Sequence, residues 1–121
     1  MTIYYHVADA AYRSGEDLLS FNAAVDAGLL TNDDWRWEHA RGGEDAQVVS
    51  LFATAGEALT WIDYGAPRRH KVVEVSLPAS VRILPMREGD VQHPAVVGKI
   101  AGRYCRVIPV RELRRRARME A

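Results

Sequence analysis

The chain has 121 residues, 48% hydrophobic and 26% charged, with a formal net charge of zero. That balance describes one compact domain able to bury its own core, and it excludes a disordered chain, which would be poorer in apolar residues and more unevenly charged. Zero net charge weighs against a general nucleic-acid binder, and a single cysteine, Cys105, excludes an internal disulfide and a cysteine-built zinc site.

The first predicted element is a strand over Thr2 to Val7, and it carries His6 near its end. A half-buried imidazole must find hydrogen-bond partners, so His6 is either a ligand-holding group or a core histidine satisfied by its surroundings. Tyr4 and Tyr5 point to opposite faces of such a strand, one to the core and the other to the core or a pocket. Ser14-Gly15-Glu16-Asp17 then reads as a helix start with Ser14 as N-cap. Leu18, Leu19, Phe21, Val25 and Leu29 form the apolar stripe, and Gly28 marks the stop.

Leu30 to Gln47 is a polar loop centred on Asp33-Asp34-Trp35-Arg36-Trp37-Glu38-His39, long enough to suggest a function of its own. Trp35, Arg36 and Trp37 are of the type found at binding hot spots, and equally able to cover a core edge. Val48 to Phe52 is a second strand, followed by the capping box Thr54-Ala55-Gly56-Glu57 and a helix ending at Gly65, with Trp61 on its apolar face.

Lys71 to Leu77 is a third strand and Val81 to Leu84 a fourth, each closed by a proline. Met86 to His93 reads as an acidic loop, and Pro94 to Ile100 as a short helix opened by its proline. Arg103 to Val110 is the last strand. Glu112 to Glu120 is a basic helical tail, read first as a solvated face and second as a contact for RNA or an acidic partner. Cys105, inside the last strand, reads as packing.

The sum is a single α+β domain over 1–121, its basic tail at about 110–121, with a mostly antiparallel, split sheet and two or three flanking helices. The start of the chain lacks a basic head followed by a long apolar run, and no apolar stretch reaches bilayer-spanning length. The expectation is a cytoplasmic chain without a membrane segment. The four histidines, His6, His39, His70 and His93, stand on different elements without metal-ligand spacing, so no metal site is expected. No phosphate-cradling glycine loop and no nucleophile elbow is present.

The order of these pieces carries more than any one of them. Tyr5-His6 on the first strand, Leu51-Phe52-Ala53-Thr54 running into Glu57-Ala58, Val73-Glu74-Val75 and a late strand near Ile108-Pro109 follow one another along the chain. This layout resembles the small bacterial members of the ADP-ribosyltransferase superfamily, especially the rifamycin-modifying and RNA 2′-phosphotransferase-like branches. The resemblance implies that His6 holds the nicotinamide ribose of NAD. It implies that Tyr5, Ser50 and Phe52 border the ligand and that Arg13 meets the pyrophosphate. Glu88 or Asp90 would stabilise the oxocarbenium-like transition state. Where those families place a tyrosine that stacks on nicotinamide, this chain reads Val48-Val49-Ser50-Leu51-Phe52.

Two functions follow as expectations. The first is an NAD- or nucleotide-binding domain, with or without transfer of ADP-ribose to a protein, nucleic-acid or small-molecule acceptor, nucleic acid being the least favoured. The alternative is a non-catalytic interaction module of the toxin–antitoxin or phage-defence accessory type, meeting a protein partner through Trp35 and Trp37.

Overall fold

The computed structural model describes residues 1–29, 45–64, 70–88 and 91–120, with the side chain of Glu88 left out. The Trp35–Trp37 loop, Gly65 and Asp90 therefore lie outside the described residues. Within them the chain is an α+β domain of antiparallel sheets and three α-helices.

Strand β1 (Thr2–Asp9) pairs with β4 (His70–Leu77), which pairs in turn with β8 (Cys105–Ile108). A second sheet has the order β3-β6-β5, built from Val48–Ser50, Val91–Val97 and Leu84–Glu88. A two-stranded ribbon joins β2 (Leu18–Leu19) to β7 (Lys99–Ile100). The short helix α1 covers Phe21–Asp26, α2 covers Ala55–Tyr64 and α3 covers Val110–Glu120.

Strand β4 shows how the layers stack. Val72, Val73, Glu74 and Val75 are buried in succession, because both faces of the central strand are covered. One face joins Val73, Val75 and Leu77 to Leu18, Val49, Leu51, Val96 and Ile100, the core between the sheets. The other face sets Tyr5, Val72 and Ile108 against Ala55 and Ala58 of α2 and Leu113 of α3. Leu113 is fully buried there, and its burial contributes about 2–3 kcal/mol.

The two larger sheets meet along the stretch Val48 to Phe52. The β3–β6 ladder ends where the Leu51 N–H donates to the Pro94 carbonyl at 2.8 Å. Pro94 has no N–H to return, so pairing with β6 stops at this point. Phe52 instead pairs with Tyr5 on the open edge of β1, exchanging backbone bonds of 2.7 and 2.9 Å. One short segment thus belongs to both sheets.

Several expectations are corrected. The first helix is only Phe21–Asp26, capped by Ser20, whose hydroxyl accepts from the Ala23 N–H. Leu18 and Leu19 form a strand, and Ser14 is no N-cap, since its hydroxyl accepts from the Val107 N–H. Gly28 does follow the helix end with φ of +77°, the left-handed stop expected of it. The fourth strand is Leu84–Glu88 rather than Val81 to Leu84.

The expected acidic loop and proline-opened helix are the β5–β6 hairpin, whose strands are separated in sequence by Gly89-Asp90. Pro85 and Pro94 sit opposite each other in that hairpin. The Pro94 carbonyl points to Leu51, so its side toward Pro85 is the non-hydrogen-bonded one, where neither proline forfeits a ladder bond. The valines of Val91–Val97 then decide the conformation.

The segment after β1 runs to the far edge of its sheet. Gly15 donates to the Cys105 carbonyl and Asp17 accepts from the Gly102 N–H at 2.8 Å. A Cβ at Gly102 would run into the Gly15 carbonyl, so the approach depends on a bare backbone.

Candidate functional site

A cleft of about 880 Å³ opens where the two sheets part, bounded by β1, the β3 segment, β6 and one side of α2. It lies within the size of small-molecule sites, roughly 300–1,000 Å³, and shares their mainly apolar lining with a few convergent polar groups. Three strands supply His6, Ser50 and His93, from β1, β3 and β6 in turn.

The hydrogen bonds around Ser50 order the site. The His6 Nδ1 is 2.7 Å from the Ser50 carbonyl, a contact in which the ring N–H donates. Burial pushes the His6 pKa below the usual histidine range, against a smaller opposing effect of that same bond. Burial thus favours the neutral ring, in which, with Nδ1 carrying the proton, Nε2 is an acceptor. The His93 Nε2 lies 3.2 Å from the Ser50 hydroxyl. Ser50 thus holds one histidine through its backbone and the other through its side chain.

Helix α2 forms the opposite wall. Glu57, Thr60, Trp61 and Tyr64 fall at the i, i+3, i+4, i+7 spacing of one helical stripe and line the cleft, while Ala55 and Ala58 pack into the core. The helix start is as expected in one half: the Glu57 N–H donates to the Thr54 hydroxyl at 3.1 Å. The return bond falls one residue early, since the Glu57 carboxylate accepts from the Ala53 N–H at 3.3 Å. This holds the Glu57 carboxylate at the cleft edge.

Trp61 is corrected from a core residue to a cleft residue. It is 42% exposed, and its ring sits 6.3 Å from that of Phe52. Tyr64 is 88% and Val91 65% exposed beside it, so this wall offers flat apolar surface to solvent.

Of the residues singled out from sequence, His6, Ser50 and Phe52 are brought together in the cleft. Tyr5 is not a lining residue. Its ring is buried on the helical side of β1, with the Arg116 guanidinium 5.9 Å from its centroid. Tyr4 packs against the core between the sheets, so both tyrosines serve packing. Arg13 stands in the segment bonded to β8, at the edge of the sheet away from Phe52, and does not line the cleft. Glu88 ends β5, and Asp90 lies outside the described residues.

Glu57, Thr60, Trp61, Tyr64 and His93 were missed. The stripe on α2 was visible as a second helical face opposite Ala55, Ala58 and Ile62, whereas His93 was hidden by reading β6 as loop and helix.

Among the described residues no group of three or more His, Cys, Asp or Glu side chains is placed to hold a metal ion. No helix among them is long and apolar enough to cross a membrane. Compared with protein-family models, with curated proteins and with solved structures, the chain matches none.

Proposed function

We propose that the cleft binds NAD, and that the chain is a nucleotide-binding domain of the ADP-ribosyltransferase type that transfers ADP-ribose. The observation that carries this reading is His6, an imidazole fixed by the Ser50 carbonyl in a mainly apolar cleft and kept toward its neutral form by burial. Such a ring accepts a hydrogen bond from a sugar hydroxyl without adding charge. Phe52, Trp61 and Tyr64 offer aromatic surface on which a nicotinamide or adenine ring stacks.

Breaking the nicotinamide–ribose bond develops positive charge on the sugar. A neutral His6 does not oppose that charge. Glu57 is the carboxylate among the described lining residues, and it stabilises the same charge from the helical wall.

Thermal melting with NAD tests the reading. A ligand at about a hundred times its Kd stabilises the fold by about 2.7 kcal/mol, a shift of several degrees for a domain of this size. The shift is expected to disappear in His6→Ala. A melting temperature unmoved by millimolar NAD, ADP-ribose and nicotinamide overturns it.

A further inference from the structure

The helical wall of the cleft sets a carboxylate beside aromatic surface. Trp61 follows Glu57 by one turn of α2 and Tyr64 follows Trp61 by another, so the three side chains stand in a row. Phe52 meets this row from the β3 segment, its ring tilted at 51° to that of Trp61. Trp61 and Tyr64 remain open to solvent there.

The polar groups beside this surface offer acceptors. One Glu57 carboxylate oxygen accepts from the Ala53 N–H, and the other has no partner among the described residues. The Thr60 hydroxyl donates its proton to the Gly56 carbonyl at 2.9 Å, which leaves it only acceptor capacity. His6, bonded through Nδ1 to the Ser50 carbonyl, has Nε2 as an acceptor. Among the described lining residues there is no Lys or Arg, and Glu57 is the one carboxylate.

This pattern selects a ligand by its charge. An anion would face a carboxylate with no cation to offset it. A neutral apolar body would cover the aromatic wall but leave the carboxylate short of a donor. An ammonium group answers both needs, because it donates to carboxylate and hydroxyl oxygens and is attracted to the faces of aromatic rings.

We propose that the helical wall of the cleft is a binding site for a protonated amine carried on a flat apolar body. The ammonium donates to Glu57 and Thr60 beside the Trp61 ring, and the apolar body covers Phe52 and Val91. The site asks nothing of a phosphate group, so it stands apart from the NAD reading.

Phenethylamine, a cation at pH 7, is the probe, and phenethyl alcohol is its uncharged counterpart. In NMR titrations of the whole isotope-labelled chain, the amine is expected to move the Trp61 indole N–H signal along a saturable curve. That signal is identified by its absence in Trp61→Leu. Affinity is expected to be roughly tenfold lower for the alcohol than for the amine. A similar loss is expected for the amine in Glu57→Gln, which keeps an oxygen for the Ala53 N–H. In Trp61→Leu, read at the Thr60 backbone signal, the preference for the amine should narrow, because apolar surface is kept while the ring face is lost.

Equal affinity for amine and alcohol in the native chain overturns the proposal. So does an amine affinity unchanged in Glu57→Gln, or a Trp61 signal that the amine does not move. The NAD melting shift is a separate measurement, and neither its presence nor its loss alters these outcomes.

Discussion

Buried charge and polarity are handled in opposite ways in two regions of the β1-β4-β8 sheet, its helical face and the cleft at the edge of β1. On the helical side Glu74 is only 8% exposed, and its carboxylate is closed off by Arg106 at 3.1 Å and by Arg116. Arg116 also reaches the Glu112 carboxylate at 3.0 Å, which Arg115 holds as well. Further along α3 the Glu120 carboxylate accepts from the Ala55 and Gly56 N–H groups at 2.8 and 2.9 Å, capping the start of α2. The Glu74 and Glu120 carboxylates are thus each answered by a different element of the fold, which marks these contacts as structural. In the cleft the imidazoles are bonded to Ser50, and aromatic surface stays exposed. The helical face is closed by its ion pairs, whereas the cleft keeps apolar surface in contact with solvent.

The contrast can be broken most severely at Glu74. Glu74→Ala removes the carboxylate shared by Arg106 and Arg116, leaving Arg116 with Glu112, and is expected to cost about 2 kcal/mol in chemical denaturation at pH 7. The NAD melting shift should survive in that variant wherever it still folds. Loss of the shift at temperatures where the fold is intact would show that the two regions are not separable.

A smaller effect is expected from Glu120→Ala, which removes a charged cap from α2 and should cost about 1.5 kcal/mol. His6→Ala removes a single side-chain bond and should cost only about 1 kcal/mol of stability, while abolishing the NAD shift. Its profile is the reverse of that of Glu74→Ala.

The smallest effect is an acid one. Arg115 and Arg116 hold the Glu112 carboxyl down to about 2, against 4.5 ordinarily. A depressed folded pKa adds stability that is present above the unfolded value and lost as pH falls from about 4.5 towards 2. The advantage of the native chain over Glu112→Gln should therefore shrink across that acid range and be absent at its lower end. A difference independent of pH would assign Glu112 a packing role instead.

The elements that were legible in the sequence are those whose local chemistry agrees with their packing. Thr54 and Glu57 announce α2, the valines of β4 announce a strand covered on both sides, and Gly28 stops α1. Reading failed where one residue gives a misleading local signal. Pro94 suggests a helix start, yet it sits in a central strand at the point where its missing N–H faces a ladder that ends. Leu18 and Leu19 fit a helical stripe, but β7 takes them as strand partners.

Of the candidate cleft, His6, Ser50 and Phe52 were legible in the sequence, and the structure places them along one seam. Arg13 and Tyr5 were misplaced because chain proximity to His6 says nothing about which face or edge a side chain reaches. His93 and Trp61 required knowledge of which strands and helix faces converge, and that is set by tertiary pairing alone.

The double attachment at Ser50 has a consequence for how such a site can change over generations. His6 depends on an atom that every amino acid possesses, whereas His93 depends on the hydroxyl. Residue 50 therefore works as a socket. Its occupant can be exchanged for threonine, cysteine or alanine with the first histidine still in place, so the cleft can gain, alter or lose a side-chain hydroxyl without disturbing the bond that holds His6.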